Sequence, residues 1–559
     1  MAEFENLAPE LYLSLLCGEY SYKREKLSND DGIHLPGPFR RSSDQWMSLL
    51  DALAAICVRK EKGDIFFVSL TVELNSVTLY VSSNETVPPT LISHLHKIWA
   101  QLKKSHAVAN LDPSIPADSS GSSSNPNDAK FGTDAELDVY ETICQYSYRK
   151  LRRRFLKRAP AILAQYHDIR TSLDTGDSED TILLVATGVL LKEIHASLMD
   201  EIPPSGPALI KLVRSIEIVE WLNQGWQKDM KVGGSESILS KWDKSVRKSI
   251  LAFHTCLCIL IARLLFLDVQ KDRKLSLGRL LEKLSTFHYH INTITRIARH
   301  SRFAPIFEGQ FNVVPIPVAH GDISINFSQE HILPIIFPPG ISAEHDIKLA
   351  VYDELLKRLQ KNSGEEGMDM KKETMPELSM KALNVHAECT LLSYHLQHPE
   401  INPYQYFGGS TLSCHGCGLL FNSFNPVAER LDLPQFFTRG WHEKIYLKWP
   451  CPSLLSQEQQ MSLQPTGSSL DTQVRKEMVA VLSQELAPYV NGLRPDVIRK
   501  HQELRERIRK FLETGMCEYK LTHLYVLIIR KIDRLDLNKR ASIQSFTGQW
   551  VKPDFWAQI

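Results

Sequence analysis

Two short stretches constrain this chain more than anything else in it. His386 and Glu388 stand in NVHAEC, and twenty-five residues after the glutamate Cys414 and Cys417 stand in CHGC. A fold that brings them together builds a particular site. Asn384 is a good helix cap, so the spacing predicts a helix from Val385, with His386 and Glu388 in its first turn. Inside a helix, residues two apart point about 200° away from each other; at the first turn both can lean over the helix end. Cys414 and Cys417, three apart at a second helix start, put both sulfurs on one side, where free N–H groups favour thiolates. Two thiolates and one imidazole suit tetrahedral zinc, and three protein ligands leave a fourth position for water, the arrangement of a catalytic zinc site. Glu388 is then a carboxylate beside the metal without ligating it, able to move a proton from water to a leaving group. His395 and His398 belong to another helix face and read as structural. A closed structural zinc site requires a fourth ligand, and His415 is the nearest candidate.

The rest of the chain divides by pattern. Residues 43–60 read as a helix that buries Trp46, Leu49, Leu50, Leu53, Ile56 and Cys57. In residues 65–82, Val68, Leu70 and Val72 alternate with Ser69 and Thr71, and Val77, Leu79 and Val81 alternate after Asn75-Ser76. This pattern predicts a hairpin of two half-buried strands. A helix over 89–104 follows, then a serine- and proline-rich linker, 112–132. Helices are predicted at 135–158, 180–199, 207–229, 237–269 and 275–300. Prolines break 311–338 into short extended runs that suit edge strands or loop. Another helix covers 343–360, and a charged linker follows. A polar linker at 452–470 precedes helices at 471–489 and 495–513, and 521–532 is strand or short helix.

Lysine plus arginine equals aspartate plus glutamate, 65 each, so no global field steers the chain toward nucleic acid or membrane. The N-terminus lacks the basic and apolar regions of a secretory signal. The longest uncharged run, 249–262, is too short to span a bilayer. Ten scattered cysteines suit a reducing compartment, so the chain is expected to be intracellular, cytoplasmic or nuclear. One local patch stands out. Arg149, Lys150, Arg152, Arg153, Arg154, Lys157 and Arg158 crowd a single helix, with Tyr148, Leu151 and Phe155 as its apolar stripe. It is a candidate phosphate track or a solvated helix face. In contrast, 499–511 interleaves acids with its bases and reads as a salt-bridged surface helix.

The H-x-E and C-x-x-C pair resembles the signature of the zinc-dependent cytidine-deaminase superfamily, H-x-E followed by P-C-x-x-C. Ser413 stands where that family usually has proline. YFGGSTLSCHGC and FTRGWHEKIYLKW (437–449) look like a divergent fungal branch of the superfamily. The resemblance covers 381–450 clearly and the helix and hairpin at 43–83 more weakly. It implies a Zn2+ cofactor held by His386, Cys414 and Cys417, with Glu388 catalytic and Ser410, Ser413 and His442 as candidate substrate contacts. It also implies a deaminase-like α/β/α sandwich with a large, mainly helical insertion or accessory domain, and strands at Tyr404–Gly408 and Lys444–Trp449 before and after the cysteine helix. The expected division is 1–105 contributing helix and hairpin to the core, a linker at 106–133, helices and a charged linker over 134–380, and the zinc-binding region at 381–451. A polar linker at 452–470 and C-terminal helices at 471–559 complete it. A rival placement puts the core hairpin at 311–327. The expected partner is a nucleoside or single-stranded nucleic acid, with no membrane. The competing expectation is a non-catalytic interaction protein on a zinc-stabilised scaffold.

Overall fold

The computed structural model describes residues 8–20, 25–27, 43–111, 138–154, 156–157, 277–338, 344–365, 377–442, 444–456, 458–459 and 468–513. The linker at 112–132, Arg158, the expected helices at 180–199, 207–229 and 237–269, the run 249–262 and the segment 521–532 lie outside them. No described helix is long and apolar enough to cross a membrane.

Among the described residues nine strands are formed: β1 (Glu25–Leu27), β2 (Phe66–Val72), β3 (Ser76–Ser83), β4 (Gln310–Pro315), β5 (His320–Asn326), β6 (Glu377–Asn384), β7 (Tyr406–Gly409), β8 (Phe437–Thr438) and β9 (Gly440–His442). The central sheet has the order β4-β3-β2-β7-β8. Strands β2 and β3 pair antiparallel, Phe66 opposite Ser83 through to Val72 opposite Val77. The other edge of β2 meets β7, Phe67 opposite Gly409 and Val68 opposite Gly408. The N-terminal hairpin thus shares a sheet with the strand that leads into the cysteines. Strand β4 lies parallel to β3 at the sheet's edge, a place that tolerates its terminal Pro315. The run 311–327 is not a hairpin: β4 joins this sheet and β5 pairs with β6 in another.

The period-two pattern sorts side chains into two cores. Phe66, Val68, Leu70, Val77, Leu79 and Val81 pack on one face, while Phe67, Tyr80 and Phe407 pack on the other. The strands are therefore buried on both faces, where the sequence predicts half-buried ones. Ser69 is fully buried, and its hydroxyl lies 2.6 Å from His395 Nε2. A polar side chain under a helix layer needs such a partner. His395 thereby has its structural role; burial, and then the charge of His398, lowers its pKa to about 3.

Among the described residues, helices of five or more residues surround the strands: α1 (Pro9–Tyr20), α2 (Ser43–Ile56), α3 (Pro89–Leu111), α4 (138–157), α5 (Leu277–Arg299), α6 (Ala304–Glu308), α7 (Gln329–Ile336), α8 (His345–Glu365), α9 (Ala387–Gln397), α10 (His415–Arg430) and α11 (Leu470–Glu513). The core on the α2 side takes residues from α3, α4, α5 and α6, and the opposite core takes residues from α1, α7, α8, α9, α10 and α11. The result is a mixed α/β fold with helices on both faces of a five-stranded sheet, compatible with the expected deaminase fold.

Two expectations are corrected at the C-terminal side. Residues 444–449 form loop and turn, and the strand beside β7 is β8. The side chain of Trp449 is fully buried and its indole N–H donates to a sulfur, so side-chain anchoring replaces a ladder there. The two helices expected at 471–489 and 495–513 are one, α11, with Pro488 and Pro495 inside it. Each proline costs about 3 kcal/mol in a helix interior. Both lie on the exposed face, and the buried stripe Met478, Leu482, Leu486, Tyr489, Val490, Leu493 and Val497 runs past them uninterrupted. Burial of each such side chain contributes roughly 1.5–3 kcal/mol, enough together to outweigh the breaks.

Gly408 sets how closely α2 approaches the sheet. A Cβ built there would lie 2.1 Å from the backbone carbon of Leu50 and 2.6 Å from Asp51 N. Overpacking against movable side chains costs about 1–3 kcal/mol; here the obstacle is helix backbone. Gly408→Ala is therefore expected to lose about 3 kcal/mol or more, read as a lower midpoint in urea unfolding. An unchanged midpoint would show that α2 does not sit against β7 in this way.

Candidate metal centre and active site

Strand β6 ends at Asn384, and Val385 N–H donates to Ala319 O. The helix α9 then starts at Ala387 with His386 as its N-cap (φ −63°, ψ 147°). This shifts the predicted start by two residues. Asn384 does not cap the helix: its side-chain amide donates to Asn84 O, while Asn84 Oδ1 accepts the Ala387 N–H, both at 2.8 Å. The cap's work thus falls to a residue just past β3, which leaves the His386 ring free to face the second helix. Glu388 follows in the first turn and is 2% exposed.

Cys414 is the N-cap of α10 (φ −78°, ψ 171°) and Cys417 stands in its first turn. Two helix N-termini therefore converge, each presenting its positive end. His386 Nδ1 lies 3.4 Å from Cys414 Sγ and 3.3 Å from Cys417 Sγ, and the two sulfurs are 3.4 Å apart. These three residues form a group that could hold a metal ion. Ligands at usual Zn–S and Zn–N lengths in a tetrahedron stand about 3.5–3.8 Å apart, so the donor triangle has nearly the right edges. His415, the candidate fourth ligand, is not in the group. Its Nε2 lies 3.0 Å from Glu485 Oε2 of α11, turned away from the sulfurs.

The electrostatics fit a cation. Burial drives both cysteine thiols well above their usual range. Burial alone would lower His386 too, but the neighbouring Cys414 and the charge of Glu388 outweigh it and hold the imidazole up at about 9. Two thiolates in a buried site require a compensating positive charge. A divalent ion held there would supply it and displace the protons. Around the ligands, Trp449 Nε1 donates to Cys417 Sγ at 3.1 Å, and the thiol of Cys389 is in hydrogen-bonding contact with the same sulfur. A Cβ on Gly416 would lie 2.8 Å from the Trp449 ring, so this glycine lets the indole close over the cysteine turn.

The remaining candidates hold the frame. Ser410 Oγ accepts Phe66 N–H at 3.0 Å, and Ser410 N–H donates to Phe66 O, which extends the β2–β7 pairing toward the cysteines. Ser413 is buried, and its N–H donates to Gly440 O at 3.1 Å. Proline has no N–H to donate there, so the serine that departs from the family pattern fastens the cysteine turn to β9. His442 N–H returns a bond to Ser413 O, and its Nδ1 accepts Lys444 N–H. Its half-buried ring stands edge-on to Tyr446, as does that of His386. His398 Nδ1 lies 3.1 Å from Glu400. Among the basic residues of α4, Arg153 pairs with Glu61 at 3.0 Å.

Sequence reasoning passed over Asp51. It stands alone among apolar neighbours in WMSLLDALAAICV, a signal that was available. Its carboxylate accepts both Tyr406 O–H (3.0 Å) and Gly409 N–H (3.0 Å), tying α2 to the strand that precedes the cysteines. Burial raises its pKa to about 6 against the charge of Arg439 and the bonds from Gly409 and Tyr406. The unfolded value is about 3.9. The folded state therefore binds this proton more tightly, and stability falls as pH rises between those values. The effect is on the order of 3 kcal/mol. Asp51→Asn removes it, so the variant should gain on the wild type by that amount between pH 4 and pH 7 in denaturant unfolding. A difference independent of pH would contradict the raised value.

Residues 385–453 match the model of a family described as "OTT_1508_deam:-like deaminase". This is a cytidine-deaminase-like family, and the matched segment contains all three residues of the metal-binding group. Comparisons with curated proteins and with solved structures found no match.

Proposed function

We propose that this chain, deaminase-like over 385–453, is a zinc-dependent hydrolase that removes the exocyclic amine of a nucleobase. The base is cytosine or adenine, in a nucleoside or a single strand. The observation that carries this reading is Glu388, buried to 2% exposure beside His386, Cys414 and Cys417 yet outside their group. A buried carboxylate is costly to keep, and this one stands where a proton must move.

Zinc, when held by those three residues, would supply Lewis acidity and a water of lowered pKa. The chain's own residues do the rest. Glu388 takes a proton from the attacking water and passes it to the departing amine. A C–O bond forms at C4 of cytosine or C6 of adenine, the C–N bond breaks, and ammonia leaves. One water is consumed and no redox partner is needed. Trp449 and Cys389 orient the Cys417 sulfur, as outer contacts of metal ligands commonly do. A base stacked in a duplex must be flipped out to reach a buried site, so free nucleosides and single strands are the expected substrates.

The test is turnover in H2(18)O by zinc-loaded protein, over cytidine, adenosine and single-stranded DNA and RNA oligonucleotides. Ammonia should appear with one (18)O in the product carbonyl. Absence of both with every substrate would overturn the reading.

A further inference from the structure

The end of the central sheet that holds the candidate metal centre also carries a cavity of ≈ 280 Å³ lined by three cations, Arg59, Lys60 and Arg149, and two acids, Asp64 and Glu85, with Phe66 and Ser83 beside them. Ser83 and Glu85 flank Asn84, whose Oδ1 accepts the Ala387 N–H at the start of α9. Phe66 N–H goes to Ser410 Oγ, four residues before Cys414. The cavity opens on the α2 side of the sheet, against α4, and is linked to the start of α9 on the opposite side through Asn84.

Arg149 is exposed and opens the basic run of α4. Arg152, Arg153 and Arg154 follow it on the same helix, each partly exposed. The local acids are engaged. Glu85 pairs with Lys60 Nζ at 2.6 Å, Asp64 accepts the Arg59 and Lys60 backbone N–H groups, and Glu61 pairs with Arg153. Arg59 lies 5.8 Å over the Tyr146 ring. The chain as a whole has no net charge, so this concentration of arginine is a local feature.

We propose that the Arg59–Arg149 cavity and the adjoining basic face of α4 bind a phosphate group of the substrate, either a nucleoside monophosphate or the phosphodiester backbone of a single strand. Arginine holds phosphate through paired, charge-assisted hydrogen bonds. A neutral nucleoside offers this face nothing. The proposal rests on the deaminase reading and deepens it: a base entering the metal centre brings its phosphate to the rim beside Asn84.

The experiment measures binding, independently of turnover. Full-length wild type and Arg59→Glu/Arg149→Glu are titrated with labelled single-stranded DNA and RNA 12-mers at several salt concentrations. Cytidine, adenosine and their 5′-monophosphates serve as competitors. The charge-reversed protein should bind the strand at least tenfold more weakly. Its dependence of log K on log salt should flatten by about 1.4 for two lost phosphate contacts. Arg59→Gln/Arg149→Gln should show a smaller loss in the same direction, which covers any misfolding of the double reversal. Competition by the monophosphates but not the nucleosides identifies a single-phosphate site, and binding of the strand alone identifies the backbone. Unchanged affinity and salt slope in either folded variant, or no wild-type binding of strand or monophosphate at low salt, would overturn the proposal. If binding behaves as stated while no substrate releases ammonia, the phosphate site stands and the deaminase reading fails.

Discussion

Glu388→Gln should leave zinc in place and abolish turnover. Glutamine has nearly the same shape as glutamate but cannot carry a proton between water and an amine. General acid–base groups contribute typically about 10²–10⁴-fold. In the proposed mechanism one carboxylate serves both the attacking water and the leaving group, so the loss should reach the upper end or exceed it. The measurement is ammonia release per zinc-bound chain. Zinc should remain at wild-type stoichiometry because Glu388 lies outside the three-residue group. Loss of the metal in this variant would make Glu388 a ligand, and near-normal turnover would take the proton shuttle away from it.

Cys417→Ser should lose the metal and much of the stability of the surrounding core. Cys417 is fully buried and joins α10 to His386 and to the Trp449 indole. A ligand present at a thousandfold its Kd stabilises the folded state by about 4 kcal/mol. At about 2–4 °C per kcal/mol for a domain of this size, the variant should melt on the order of 10 °C lower than zinc-loaded wild type. A chelator should lower the wild-type Tm by a similar amount and leave the variant's unchanged. Equal chelator sensitivity in both proteins would place the stabilising metal elsewhere.

The candidate metal centre was legible because its chemistry is local in sequence: a histidine and a glutamate two apart, two cysteines three apart, and helix starts that aim them. Strands β2 and β3 were legible from alternation, and their place beside β7 from the family resemblance. What escaped depends on contacts across long separations. Asn84 does the capping expected of Asn384, from 303 residues away in the chain. Asp51 holds Gly409 from 358 residues away. The family fold leads one to expect a strand at 444–449, yet these residues form loop and turn anchored by side chains instead of a ladder. The prolines of α11 looked like helix ends because a single sequence shows the local cost and not the stripe that outweighs it. Helix α1 was equally hidden: its Glu10 is buried to accept Cys451 N–H at 2.9 Å, a contact no local pattern announces. Ser413 is the instructive case. Compared with the family pattern it looked like a lost proline, while in the fold its N–H is the point of attachment for β9.

The account depends first on His386, Cys414 and Cys417 holding one zinc ion. Elemental analysis of the purified full-length chain, beside His386→Ala, Cys414→Ser and Cys417→Ser prepared identically, tests this most directly. The account predicts about one zinc per wild-type chain and almost none in each variant. A wild type that takes up no zinc on reconstitution, or any of the three variants retaining it in full, would contradict it.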